Sequence, residues 1–268
     1  CRAPPSRVAD GVNPPAGLLA VREGARCAWV RAEAADRLAQ VLWHGADTEP
    51  LAGPGGRGTV ARFEWAGGAG VRRVYRRGGW MAHLLRDYYL LQNRPLRELL
   101  VNARMHAAGL PVPEPLGACW RRRGPCYAGA MATAYVPGST LANHLSTQQA
   151  TPARHEALRR AGAAIRRFHD GGGWHADLNA ANIVLPDTGD ACLIDLDKAR
   201  FAGCPVQGAA AVRNLLRLRR SLEKLGHGDE AWHVLLAGYG GSAVPAWLER
   251  LYAARGHASD ALAGRHTT

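Results

Sequence analysis

His175-Ala176-Asp177-Leu178-Asn179-Ala180-Ala181-Asn182, followed after a short loop by Leu193-Ile194-Asp195-Leu196-Asp197, is the stretch on which the reading of the whole chain turns. Transfer of a phosphoryl group to a hydroxyl needs a carboxylate that orients the hydroxyl and accepts its proton, and oxygen ligands that hold Mg²⁺ against the phosphates. An Asp, an Asn five residues on and a second Asp at the end of an apolar run supply those groups. Ile183-Val184-Leu185 and Ala191-Cys192-Leu193-Ile194 can pair as strands across Pro186-Asp187-Thr188-Gly189-Asp190. That pairing brings Asn182 and Asp195 to one end of a hairpin, where they could share a metal. The competing reading makes Asp177 and Asn179 turn caps and Asp195 a surface carboxylate. It leaves an Asp closing an apolar strand without a partner, which is costly.

Working outward, Pro152 to His169 and Ala210 to Leu225 read as long amphipathic helices on either side of this glycine-punctuated segment. Upstream, Leu96, Leu99, Leu100 and Ala103 recur at helical spacing from Pro95 to Ala108, ended by Gly109 and Pro111. Leu116 to Ala134 reads as two strands around Arg121-Arg122-Arg123-Gly124. Arg26 to Val74, with short apolar runs broken by glycines, reads as antiparallel strands. Pro137-Gly138 separates the strand-rich half from the helical half. The expected fold is therefore α+β in two lobes: an N-lobe over 21–136 with one helix, a C-lobe over 137–268, and a poorly ordered leader over 1–20.

The net charge of +12 is carried almost wholly by Arg, since Lys198 and Lys224 are the only lysines. Such a balance points to an anionic partner, or simply to a GC-rich coding sequence. No groove-reading motif is present, so nucleic acid is not an expected partner. Cys1, Cys27, Cys119, Cys126, Cys192 and Cys204 form no CxxC pair or zinc-like cluster and read as thiols in a reducing compartment. No apolar run approaches the roughly 20 residues needed to span a bilayer.

The H-x-D-L-x-x-x-N then I-D pattern resembles the catalytic and metal loops of the protein-kinase-like superfamily. With Ile194-Asp195-Leu196-Asp197-Lys198-x-Arg200 it is similar to the lipopolysaccharide core kinases, and within them to those acting on 3-deoxy-D-manno-octulosonic acid (Kdo). Three further stretches carry the likeness: Tyr75-Arg76-Arg77-Gly78-Gly79, Gly109-Leu110-Pro111-Val112-Pro113-x-Pro115, and Asn214-Leu215-x-Arg217-Leu218-x-Arg220-Ser221-Leu222. The resemblance covers about Arg26 to Tyr239. It implies a protein-kinase-like two-lobed fold, ATP and Mg²⁺ as cofactors, and a Kdo-bearing lipid A precursor as acceptor. A peripheral protein at the cytoplasmic face of the inner membrane is implied as well.

By the same resemblance Asp177 is the general base, and Asn182 and Asp195 hold Mg²⁺. His175 braces the loop, and Asn179, where many protein kinases place a Lys, helps to position the substrate. Gly56 and Gly58 in Gly55-Gly56-Arg57-Gly58-Thr59 form the lid over the phosphates, unless this run is an ordinary hairpin turn. No lysine precedes Lys198, so an arginine must meet the nucleotide. Period-two alternation sets Val71, Arg73 and Tyr75 on one face, which favours Arg73 as that cation and leaves Arg72 solvated. Glu98 is its expected ion-pair partner. Arg76 and Arg77 are expected at the anionic acceptor, because guanidinium binds carboxylate and phosphate bidentately.

The segment Trp80, Met81, Leu84, Leu85, Tyr88, Tyr89 and Leu90 reads either as a face lying on an anionic membrane surface or as an ordinary packed helix. Rival readings of the whole chain are a core heptose kinase, an aminoglycoside-type phosphotransferase, and a pseudokinase or membrane-binding module of the same fold. The basic charge argues against the second. The joint presence of Asp177, Asn182 and Asp195 argues against the third.

Overall fold

Along Arg26–Arg31, Ala28 and Val30 belong to one buried cluster and Trp29 to another, so the strand contributes to a core on each of its two sides. The computed structural model describes residues 13–51, 60–75, 89–90, 93–123, 126–147 and 151–241. The chain divides into two units, Cys1–Val136 and Pro137–Thr268.

The first unit holds β1 (Leu18–Glu23), β2 (Arg26–Arg31), α1 (Ala35–His44), β3 (Glu49–Pro50), β4 (Val60–Trp65), β5 (Gly68–Val74), β6 (Tyr89–Leu90), α2 (Arg94–Ala107), β7 (Pro115–Arg123) and β8 (Cys126–Ala134). Its strands form one sheet in the order β1-β2-β7-β8-β5-β4-β3, with β6 also paired to β8. Every pairing is antiparallel. One face buries Ala28, Val30, Phe63, Leu116 and Ala132 against Leu38, Val41 and Leu42 of α1. The other buries Trp29, Ala118, Trp120 and Met131 against Leu96 and Leu99 of α2.

The helix α1 lies inside the stretch expected to be all strand, and the one-helix reading of this half is thereby corrected. Its signal was present. Leu38, Val41 and Leu42 stand at helical spacing, Asp36 sits in the first turn, and Gly45 ends the helix at φ 67°. The strand β1 likewise begins at Leu18, inside the stretch read as a leader, and pairs with β2 across Gly24-Ala25. Of the aromatic segment read as a membrane face or a packed helix, Trp80 to Tyr88 lies outside the described residues, and Tyr89–Leu90 is strand.

The second unit holds β9 (Ser139–Thr140), α3 (Leu141–Thr147), α4 (Thr151–Asp170), β10 (Gly173–Trp174), β11 (Ile183–Leu185), β12 (Cys192–Leu193), β13 (Arg200–Phe201), α5 (Gly208–Lys224) and α6 (Asp229–Tyr239). Helices dominate it, as an α+β chain with a helical second half requires. The hairpin forms in the expected register, with Ile183 opposite Leu193 and Val184 opposite Cys192. Arg160 of α4 holds the hairpin turn by donating to the carbonyls of Pro186 and Gly189 at 2.6 and 2.7 Å. Gly138 sits at φ 139°, where a Cβ would lie 2.3 Å from the Leu185 carbonyl oxygen, so the chain can enter beside β11 only through glycine. Among the described residues no helix is long and apolar enough to cross a membrane.

Candidate active site

The loop from His175 to Asn182 has little regular structure, so its backbone polar groups need partners from elsewhere. Helix α5 supplies them from one stripe. Asn214 Oδ1 accepts from the His175 N–H at 3.0 Å, and Asn214 Nδ2 donates to the His175 carbonyl at 2.9 Å. One turn on, Arg217 Nη1 donates to Asp177 Oδ1 at 2.9 Å. A further turn on, Ser221 Oγ accepts from the Ala180 N–H at 3.1 Å. Positions 214, 217 and 221 share a helical face, so a single straight helix grips the loop at three successive points. Between them Leu215, Leu218 and Leu222 are fully buried and fix the helix in the core.

His175 ties the loop to the metal-side strand. Its Nδ1 accepts from the Asp177 N–H at 3.1 Å, which leaves Nε2 as the donor to the Ile194 carbonyl at 3.0 Å. Burial pushes its pKa below the ordinary histidine value, consistent with a neutral ring serving as donor and acceptor at once. Both ring nitrogens thereby tie the loop to itself and to the strand end. Behind it His169 is also buried with a lowered pKa, and Nε2 approaches Asn214 Oδ1 at 3.2 Å while Nδ1 meets the Tyr239 hydroxyl at 2.9 Å.

Two asparagines converge on one atom. The amide nitrogens of Asn179 and Asn182 both donate to the Asp177 carbonyl, at 3.0 and 2.9 Å. Asn179 Oδ1 also accepts from the Ala181 N–H at 2.9 Å, so both ends of its amide serve the loop itself. Asn179 thus caps the loop, and its second amide hydrogen and lone pair are compatible with the expected contact to substrate. Asn182 has only its nitrogen engaged in this way, which leaves its oxygen as the atom on offer to a cation.

The Ile194 N–H donates to the Asn182 carbonyl at 2.9 Å, so the hairpin does bring the neighbours of Asn182 and Asp195 together. Asp195 takes φ 60°, one of two non-glycine residues with positive φ among the described residues. Such strain of about 1–3 kcal/mol persists where surrounding structure enforces it, and it gathers at functional sites. The donor set of one amide oxygen and one carboxylate suits a hard cation that also takes phosphate oxygens. Among the described residues no cluster of three or more His, Cys, Asp or Glu side chains forms a metal site by itself. Asn182 and Asp195 thus fit a Mg²⁺ delivered with a nucleotide rather than a metal caged by protein.

In the first unit, Arg73 of β5 donates through Nη2 to Glu98 Oε1 and Oε2 at 2.6 and 2.5 Å. Glu98 is only 7 % exposed on α2, so a charge partner is obligatory there. The sequence reading did not assign the third member. The Tyr75 hydroxyl donates to Glu98 Oε2 and also lies 3.3 Å from Arg73 Nη2. Burial, and then the adjacent carboxylate, push Tyr75 well above the ordinary phenol range, so it remains a donor. Its parity with Arg73 along the strand was the available signal. Arg72, expected to be solvated, is instead half-buried on the opposite face and donates to the Leu42 carbonyl in the last turn of α1 at 3.1 Å. A cation there complements the helix dipole. Gly56, Gly58, Arg76 and Arg77 lie outside the described residues.

Asn214, Arg217 and Ser221 are the other members that sequence reasoning left without a role. A polar stripe at positions 214, 217 and 221 on an otherwise leucine-lined helix was the signal.

Comparison with known proteins agrees with this geometry. Residues 42–239 match the lipopolysaccharide kinase (Kdo/WaaP) family. A 3-deoxy-D-manno-octulosonic acid kinase of Xylella fastidiosa is 37 % identical over 188 residues, which is 68 % of this chain and 73 % of that protein. Its counterpart in Stenotrophomonas maltophilia is 35 % identical over 200 residues, 73 % of this chain and 78 % of that protein. That of Vibrio cholerae is 33 % identical over 175 residues, 63 % and 72 % respectively. A carboxylate held on a loop tied to α5, an amide oxygen and a second carboxylate at the adjoining hairpin, and this extent of likeness lead to one conclusion: the chain belongs to the lipopolysaccharide kinase (Kdo/WaaP) family, phosphotransferases with an alcohol group as acceptor.

Proposed function

We propose that this protein transfers the γ-phosphoryl group of ATP to the 4-hydroxyl of Kdo on a lipid A precursor, in lipopolysaccharide core biosynthesis. The observation that carries the reading is the state of Asp177: its backbone is pinned on every side while its carboxylate is 64 % exposed. A group that accepts a proton from an incoming hydroxyl needs this combination of fixed position and open access. The relatives' acceptor, Kdo, supplies the hydroxyl, and Asp177 takes its proton as the bond to phosphorus forms.

Asn182 through its amide oxygen and Asp195 through its carboxylate are the residues that would hold Mg²⁺. When bound, that ion neutralises charge on the phosphates. In the N-lobe, over 21–136, Arg73 is the cation for the nucleotide phosphates, kept in one rotamer by Glu98 and Tyr75. Gly56 and Gly58 are the proposed lid, and Arg76 and Arg77 the proposed acceptor contacts. The C-lobe, over 137–268, carries the chemistry. A net charge of +12 supports work against an anionic lipid surface, here the cytoplasmic face of the inner membrane with the protein held peripherally.

The test uses purified protein, Mg-ATP and Kdo-lipid IVA, with Asp177→Asn as the comparison. Phosphate should appear on the Kdo in the parent and fall by at least about 100-fold in the variant. Equal rates would remove Asp177 from the mechanism, and transfer only to a heptose-containing core would reassign the acceptor. Arg73→Met should raise KM for ATP well above the value in Arg72→Met.

A further inference from the structure

Arg217 reaches the site through one group, the bond from Nη1 to Asp177 Oδ1. Its Nε and Nη2 make no hydrogen bond among the described residues, and its side chain is 53 % exposed. An ion pair between two such exposed side chains adds little to stability. Nor does the loop need it for support, because Asn214 and Ser221 hold the backbone on either side and Asn179 and Asn182 hold the Asp177 carbonyl. What Arg217 contributes is a charged fork with donors to spare, set directly beside the carboxylate that meets the acceptor hydroxyl. Asn179, the polar residue nearest that carboxylate in sequence, is neutral and already spends one bond from each end of its amide on the loop.

We infer that Arg217 is a specificity-determining residue that binds the carboxylate of an anionic acceptor sugar; this rests on the function proposed above. A hydroxyl delivered to Asp177 brings its own ring alongside, and a carboxylate on that ring is the group a planar guanidinium takes bidentately. On binding, the fork exchanges Asp177 Oδ1 for the sugar carboxylate. The lone pair it had occupied then becomes available to the hydroxyl proton. An acceptor that lacks the carboxylate leaves the base paired with Arg217 and is poorly used.

Kdo-lipid IVA and a counterpart whose Kdo carboxylate is reduced to hydroxymethyl provide the test, in equilibrium binding without ATP and in steady-state turnover. The parent should favour the carboxylate form by about 10- to 100-fold in Kd, the scale of charge-assisted hydrogen bonds. In Arg217→Gln the ratio should fall close to one, and Arg217→Lys should keep part of it as a point charge. A ratio that survives in Arg217→Gln overturns the inference. So does a parent that shows no ratio, or a variant that loses kcat alike on both acceptors with the binding ratio intact. Turnover by the parent on neither acceptor would count against the proposed function, while the ATP-free binding ratio still decides the role of Arg217.

Discussion

Replacing Arg73 with Met removes both charge-assisted bonds to Glu98 and keeps most of the side-chain volume. Glu98, 7 % exposed, keeps the Tyr75 hydroxyl but loses the guanidinium that neutralises it on β5. Breaking one side of a buried pair costs about 3–5 kcal/mol, because the remaining charge stays desolvated. Against a typical domain stability of about 5–15 kcal/mol this is a large fraction. The stranded carboxylate responds by binding a proton, so its folded pKa rises above the unfolded value of about 4.3. The folded variant then binds more protons than the unfolded chain, and its deficit relative to the parent should shrink as pH falls and grow as pH rises. Urea unfolding at pH 5 and pH 8 measures both quantities. The Trp29–Trp120 pair, 5.6 Å apart edge to face in the same cluster as Tyr75, reports on it by fluorescence. Adding Glu98→Gln to Arg73→Met should restore more than half of the loss, since a neutral amide can still accept from Tyr75. A single-variant loss under about 1 kcal/mol, independent of pH and not relieved in the double variant, would refute the reasoning.

Three further outcomes are expected. Asn214→Ala leaves the His175 N–H and carbonyl and the His169 Nε2 without their partner and should cost about 3–5 kcal/mol in urea unfolding; a loss below about 1 kcal/mol would show that the loop is held some other way. Asp177→Asn, at an exposed side chain, should leave stability within about 0.5 kcal/mol of the parent while activity is lost, so a large fall in Tm would make Asp177 structural. His169 and His175 have lowered folded pKa values, so the unfolded chain binds more protons below about pH 6.5; the stability they protect is complete above that pH and declines below it by up to about 1.4 kcal/mol per histidine per pH unit. Thermal unfolding at pH 7.5 and 5.5 checks this, and an unchanged Tm would count against neutral rings in the native state.

The parts of the fold that were legible in the sequence are those whose periodicity repeats within one element. The helices α2, α4 and α5 fall within about two residues of their sequence bounds, and the hairpin register follows from two apolar runs flanking a turn. The helix α1 was missed because it is short and lies between a strand and the glycine-rich stretch that starts at Gly45, so its surroundings read as strand and turn. In the first unit, the Arg73–Glu98 ion pair could be anticipated because strand parity and a buried acidic residue each point to the other. Arg72 could not, since its partner is a backbone carbonyl, and carbonyls carry no sequence label. The same holds for the capping bonds of Asn179, whose partners are the Ala181 N–H and the Asp177 carbonyl. Tyr75 and the stripe of Asn214, Arg217 and Ser221 lie between these cases, with the right parity or spacing but bonded to groups remote in the chain.

These observations divide the loop's tasks between backbone and side chain. The peptide groups of His175, Asp177, Ala180 and Ile194 are committed to Asn214, Asn179, Asn182, Ser221 and the ring of His175, and several of those partners are buried. The Asp177 and Asp195 carboxylates remain at the surface. An irregular segment of this length would otherwise sample many conformations, at about 1–2 kcal/mol of backbone entropy per residue. Satisfying its backbone from the protein interior confines it without drawing on the exposed carboxylates. That separation accounts for the mixture of residue types in the motif: small apolar residues where the loop turns, asparagines where a carbonyl must be tied, and at Asp177 a carboxylate left at the surface. It also explains why α5, distant in sequence from the loop, is part of the loop's support: without its stripe the segment around Asp177 would lose the bonds that fix its position.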